Sequence, residues 1–415
     1  MSKDCNCKCA CGGTILSATE IKEKAEKYRN DSVKFMRDLI KIPGISCQEK
    51  GVAERIMQEM KQLNYDKVWA DDYGNVIGQI GNGPIRVVFD SHIDTVDIGS
   101  RSSWSFDPHD GKIEDGYIYG RGASDNHNGT VSQVYGAALF KEIGKGLDKV
   151  TIFVVGSVQE EDCDGLGLQY ALEHSIKNVH YVCMGEATNL KIYRGHRGRM
   201  EINVHAKGVS CHGSAPDRGH NAVYRMAKLV NDIEKLNDRL QSDPFLGKGT
   251  CAVSHISCET PSLCAVPDAC KIHIDRRLTK GEDKALAVKQ IEELPSFNKE
   301  YMRVEILKYD APSYTGKVLE TEKYFPTWVL EENHDLVQAA RVAAKEALGK
   351  EPEISRWVFS TNGVFSMGRL GIPTIGFGPA TEEDAHSTKD RIKIDDMITA
   401  TVFYTRFPYE LLKIK

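Results

Sequence analysis

The densest apolar run in the chain is 150–158, VTIFVVGSV, where β-branched residues fill consecutive positions rather than alternate ones. That pattern predicts a strand buried on both faces, as in the middle of a helix-covered sheet. Upstream, Ser17-Ala-Thr-Glu20 reads as a capping box that opens a helix to about Leu39, and Pro43-Gly44 closes that region. A second box, Ser46-Cys-Gln-Glu49, predicts a helix to about Leu63. Strands are predicted at Lys67–Ala70, 75–80 and 86–90, with turn residues at 72–74 and 81–84 between them. A helix over 130–143 and a strand over 180–184 follow. Strands alternating with helices predict an α/β fold with a mostly parallel sheet.

From Gly198 the periodicity changes. Positions 199–207 alternate like a strand, 221–240 read as helix, 250–257 and 269–277 as strands, 282–293 as helix and 301–308 as strand. This β-α-β-β-α-β order is the ferredoxin-like plan. The stretch 311–327 reads as connecting loop. The α/β pattern then returns, with a helix over 334–348, a strand over 373–377 and a closing helix at Ile394–Leu411. The expected organisation is a cysteine-rich tail (1–13), an α/β domain in two parts (14–197 and 311–415) and an inserted ferredoxin-like domain (198–310).

Composition adjusts this picture only slightly. Of 415 residues, 41% are hydrophobic and 27% charged, as in soluble globular proteins. A net charge of −5 gives no reason to expect a nucleic-acid partner. No apolar run reaches membrane-spanning length, and the N-terminus lacks a signal-peptide stretch, so no membrane association and a cytoplasmic location are expected. Eight of the twelve cysteines are scattered and are expected as reduced thiols. The other four, Cys5, Cys7, Cys9 and Cys11, alternate and share a face if the segment is extended. A soft-metal or redox tail and a mobile terminus of no fixed role both remain open.

The ligand-type residues fall just after predicted strands: His92 and Asp94 in VVFDSHIDTVD, Glu160 and Glu161 in VVGSVQEED, Glu186 in VCMGEAT. Asp125 and His386 sit in longer loops. Ligands of open α/β sheets collect beyond the carboxyl ends of strands, so these residues can form one cluster of two imidazoles and several carboxylates. Such donors suit zinc, cobalt or manganese better than calcium. Taken singly, each acid is better explained as a helix cap; taken together, the spacing leaves a metal site and ordinary caps equally open.

H-x-D, then G-R-G-A-x-D, then a paired E-E, then G-E and a late A-H resembles the M20 metallopeptidase family, which includes aminoacylases, desuccinylases and carboxypeptidase G-type enzymes. The resemblance runs from about residue 30 to the C-terminus, and the chain is also similar to a subgroup of selenium-metabolism-linked hydrolases. It implies an α/β catalytic domain interrupted by a ferredoxin-like lid, and two divalent metal ions, zinc first, with cobalt and manganese as alternatives. It assigns His92, Asp125, Glu161, Glu186 and His386 as metal ligands, Asp125 bridging. Asp94 would accept the second N–H of His92. Glu160 would be the general base, taking a proton from a hydroxide-forming water shared by the two ions.

Two further segments carry the resemblance. Gly208, His212, Ser214, Pro216, Gly219, Asn221 and Ala222 match a family motif whose histidine reaches the active site, often of the other subunit, and polarises the scissile carbonyl. Arg277 matches the arginine that grips a substrate carboxylate, with Arg276 facing away. The resemblance thus implies hydrolysis of an amide-type C–N bond in a small carboxylate-bearing substrate, by an enzyme that dimerises through the lid. The rival expectation is an inactive metal-binding or regulatory module on the same scaffold. The chain departs from the family at His127 and Asn128, where lysine and glycine are usual, at Cys264 in place of asparagine, and at Ser91 in place of glycine.

Overall fold

A computed structural model describes residues 16–414; the Cys5–Cys11 motif lies outside the described residues. The predicted capping box at Ser17 forms, with Ser17 and Glu20 each accepting from the other's main chain. The helix it opens does not run through to Leu39. It ends at Lys27, and a second helix, Arg29–Ile40, begins after Tyr28.

The box at Ser46 does not form. The helix there is Lys50–Gln62, and Glu49 at its N-cap makes no side-chain cap bond within the helix. Its carboxylate instead accepts the N–H groups of Cys47 and Gln159, while Ser46 Oγ donates to Asp94 (2.6 Å). Tertiary partners outcompeted the local cap because both side chains are drawn toward the polar end of the central sheet.

That sheet has nine strands. In spatial order they are Lys67–Ala70, Val76–Ile80, Val150–Ser157, Ile85–His92, Tyr181–Met184, Thr374–Gly376, Ile192–His196 and Trp328–Val329, with Ile354–Trp357 also pairing onto Ile192–His196. Its centre is parallel, from Val150–Ser157 across to Thr374–Gly376; the margins are antiparallel except for Ile354–Trp357, which pairs in parallel with Ile192–His196. Val150–Ser157 is buried at every position, as its unbroken apolar run predicts. Helix His127–Ile143 is buried through Phe140 and packs against Ile394–Leu411, so it too has no solvent-exposed face over that span.

The strands Ile192–His196 and Ile354–Trp357 were not anticipated. IYRGH looks polar, yet all five residues are buried. Arg194 donates to Leu330 O (2.7 Å), and His196 Nδ1 lies 3.1 Å from Thr361 Oγ1. These partners are more than 130 residues away in sequence, so the local pattern carries no sign of them.

The second sheet is antiparallel, in the order Thr250–Glu259, Ala269–Leu278, Gly198–Lys207, Met302–Ile306, with Tyr324–Phe325 also pairing onto Gly198–Lys207. Helices Ala222–Arg239 and Lys284–Glu292 complete the β-α-β-β-α-β succession. Gly198–Lys207 alternates buried and half-buried residues down to Ala206, and its inward side chains Met200, Ile202 and Val204 join Met226, Leu229, Ile272 and Ile274 in an apolar core of their own. Asn221 caps the first helix by accepting from Val223 and Tyr224. Arg276 turns into the sheet interior, as expected, where its Nη2 reaches Glu282 and Gln290.

Candidate metal centre and cavity

Register in the parallel centre decides which side chains meet. His92 pairs with Ser157 and Asp90 with Met184, so the residues that follow, Glu160 and Glu186, emerge at the same sheet edge as His92. Glycine lets the next element close on that edge. A Cβ on Gly185 would stand 2.2 Å from Ser91 Oγ, and one on Gly129 would stand 2.4 Å from Gly185 O. This close approach seats the start of His127–Ile143, and with it Asp125, against the strand ends.

Asp125 stands between the two imidazoles. Its Oδ1 is 2.9 Å from His92 Nε2, and its Oδ2 is 3.2 Å from His386 Nε2. Glu186 Oε1 lies 3.4 Å and Glu160 Oε2 4.0 Å from His92 Nε2. Glu161 Oε2 lies 2.9 Å from His386 Nε2. Two overlapping sets of ligand atoms, His92–Asp125–Glu161 and His92–Glu160–Glu186, each fall within 4.8 Å. The six side chains therefore converge, although Asp125 and His386 come from loops.

Asp94 supports this cluster differently from expectation. The Nδ1 of His92 meets the main-chain carbonyl of Asp94 at 3.0 Å, with the carboxylate Oδ1 at 3.5 Å. The carboxylate is mainly occupied elsewhere, accepting the N–H groups of Glu160 and Glu161 (3.1 Å each) and the Ser46 hydroxyl. It thus fixes the ring's tautomer through its own backbone and the two glutamates through their backbones.

The electrostatics fit cations. Four carboxylates face two imidazoles in a largely buried site. Burial pushes Glu160 well above the usual carboxylate range; His92 opposes this, while Asp164 and Glu186 add to it. Burial, partly offset by His92, raises Glu186 to about 8, and burial with the charge of Asp125 raises Glu161 to about 7. His386 rises to about 10 through its bonds to Asp125 and Glu161. Burial disfavours charge on Asp125, yet His386 and His92 hold it below its ordinary value. Acids crowded this way retain protons unless positive charge is supplied, and nitrogen and oxygen donors match divalent transition metals.

Residues invisible to the pattern analysis build the support. Asp390, fully buried, accepts from Gly122 N, Ser124 N and Oγ, and Arg121 Nη1 at 2.7–3.0 Å, which shapes the loop that carries Asp125. Asn362 donates to Asp90 Oδ2 (2.9 Å) and Ser157 Oγ (2.8 Å) across the strand ends. The nearest sequence clue to Asp390 is an acid four residues after His386. Asp390→Ala leaves Arg121 buried without its anion, and the expected loss of unfolding free energy is about 3–5 kcal/mol in chemical denaturation.

The cluster lines a cavity of about 410 Å³ that also meets Arg199, Arg277, Asp164, Phe359 and Ser360. Arg277 and Arg199 are register partners in the second sheet. Arg277 holds Asp275 by Nε (2.7 Å) and Nη2 (2.9 Å), so a ligand carboxylate shares or displaces that contact. His212 is not among the lining residues. It is exposed, and its Nδ1 accepts from Ser214 N and Oγ. His127 is buried away from the cavity, with Nε2 3.2 Å from Ile93 O; burial lowers its pKa to about 4. Cys264 is exposed, and Ser91 Oγ is buried against Gln133.

The sequence profile of peptidase family M20/M25/M40 matches residues 88–410, and the chain belongs to that family. An uncharacterized Escherichia coli (strain K12) protein, YgeY, is 47% identical over 392 residues, covering 94% of this chain and 97% of YgeY. A succinyl-diaminopimelate desuccinylase of Cereibacter sphaeroides is 25% identical over 388 residues, covering 91% and 97%. Among solved structures, aminopeptidase PepT of Bacillus cereus superposes with a TM-score of 0.71 at 20% identity, covering 92% of this chain and 99% of that one. The chain is an M20-type metal-dependent hydrolase.

Proposed function

We propose that the protein hydrolyses an amide-type C–N bond in a small carboxylate-bearing substrate: an N-acyl or N-carbamoyl amino acid, or a short peptide. The observation that carries this is Asp125, whose two oxygens each face a different imidazole, as a bridging carboxylate requires. His92 and Glu186 would hold one divalent ion and Glu161 and His386 the other, with zinc first and cobalt or manganese as alternatives. When bound, the ions supply Lewis acidity that polarises the substrate carbonyl and lowers the pKa of a water. Glu160 accepts a proton at its Oε2 edge beside His92 and returns it to the leaving nitrogen. Asp94 keeps both glutamate backbones in place during that exchange.

The second sheet would act as a lid that brings Arg277 to the substrate carboxylate. His212, remote from its own cavity, would act from a second copy of the chain, so the working unit is a homodimer through that sheet. A cytoplasmic location fits eight described cysteines that stand as free thiols.

The test is a turnover screen of N-acyl, N-carbamoyl and dipeptide substrates with zinc, cobalt and manganese. One class should be cleaved, and the activity should vanish on chelation and return with metal. No turnover in any class would contradict the proposal. For a cleaved substrate, Arg277→Gln should raise KM about tenfold to a hundredfold, the value of a charged hydrogen bond. The same substitution should leave kcat within about threefold and spare an analogue whose carboxylate is replaced by an amide.

A further inference from the structure

The two glutamates of the site diverge because of the residue before them. Gln159 has φ 58°, in the left-handed region that glycine, asparagine and aspartate populate and glutamine seldom does. Val150–Ser157 ends just before it. The reversal at Gln159 turns the Glu160 and Glu161 N–H groups back to the Asp94 carboxylate and sends Glu160 toward His92 and Glu161 toward His386.

Locally the Cys163 N–H donates to the Gln159 carbonyl (3.2 Å), and the side chain adds tertiary bonds. Gln159 is fully buried. Its Oε1 accepts the Tyr73 hydroxyl. Its Nε2 lies 2.9 Å from Tyr309 Oη and 2.9 Å from Cys47 Sγ, with the carbonyls of Pro312 and Ala311 at 3.4 and 3.5 Å. Its backbone N–H donates to Glu49 Oε1 (3.0 Å), the carboxylate that deserted its helix cap. Three separate segments, at 47–49, 73 and 309–312, therefore grip one amide and its main chain.

The third segment lies on an excursion of the chain between two strands of the second sheet. Met302–Ile306 and Tyr324–Phe325 both pair onto Gly198–Lys207, and Tyr309 follows the first of them by three residues. Gln159 thus joins the loop that carries both glutamates to the segment that runs out between those two strands of the second sheet.

We propose that Gln159 is a positioning residue for this centre: its amide locks the left-handed turn that aims Glu161 at one metal position and Glu160 at the reacting proton. The inference rests on the hydrolase reading, but it can be tested without turnover. Metal-stripped wild type, Gln159→Ala and Gln159→Gly are titrated with zinc chloride in a calorimeter, with circular dichroism confirming that each is folded. Glycine keeps the left-handed turn at no steric cost and removes the side chain with its amide. Both variants should bind zinc about tenfold or more weakly at one of two positions, the usual effect of losing a group that orients a ligand.

In zinc-loaded enzyme, kcat should fall by at least the same factor, with KM within about threefold. If both variants bind both ions as wild type does, the role of Gln159 is overturned and the hydrolase reading stands. If Gln159→Gly alone binds like wild type, the backbone conformation suffices and the amide's role is overturned. A wild type that binds no zinc would overturn this inference and the hydrolase reading together.

Discussion

Glu160→Gln is expected to lower kcat about a thousandfold, within the range general-base catalysis supplies, while the bound metal stays as in wild type. Glutamine keeps the shape and removes the proton acceptor. Glu160 Oε2 stands 4.0 Å from His92 Nε2, farther than the oxygens of Asp125 or Glu186, so its place is beside the cation cluster rather than within it. Its N–H bond to Asp94 belongs to the backbone and survives the substitution. The check is paired: steady-state kinetics on a cleaved substrate and metal analysis of the same sample. Loss of metal along with activity would make Glu160 a ligand; unchanged kcat would leave the reaction without an identified base.

Asp125→Ala has the larger expected effect on binding. Its two oxygens serve both imidazole sides, so removing it strips both positions at once, whereas His386→Ala removes only one partner of Glu161. After dialysis, Asp125→Ala should hold less than one ion per chain and His386→Ala about one. The same loss should appear as heat sensitivity: an ion that binds only the folded chain adds about 2.7 kcal/mol at a hundred times its dissociation constant. Zinc should therefore raise the unfolding midpoint of wild type and leave that of Asp125→Ala unmoved.

The parts of this site legible from sequence are those governed by local rules. His92, Glu160, Glu161 and Glu186 follow parallel strands, and strand ends are where ligands gather. The alternating 199–207 stretch marks a half-buried strand, and the unbroken 150–158 run marks a central one. What stayed hidden depends on contacts far along the chain. Asp390 reaches the Asp125 loop across more than 260 residues, and Gln159 meets Tyr309 across 150. Ser46 and Glu49 spell a capping box, but the folded chain gives their side chains to Asp94 and Gln159. His212 is legible as a motif residue, yet within one chain it stays on the surface.

The central claim is that five side chains, His92, Asp125, Glu161, Glu186 and His386, hold a pair of divalent ions. It is met most directly by anomalous diffraction at the zinc edge from crystals grown with zinc. Two peaks are predicted flanking Asp125, one beside His92 and Glu186, the other beside Glu161 and His386. A single peak, or none between those side chains, would contradict it.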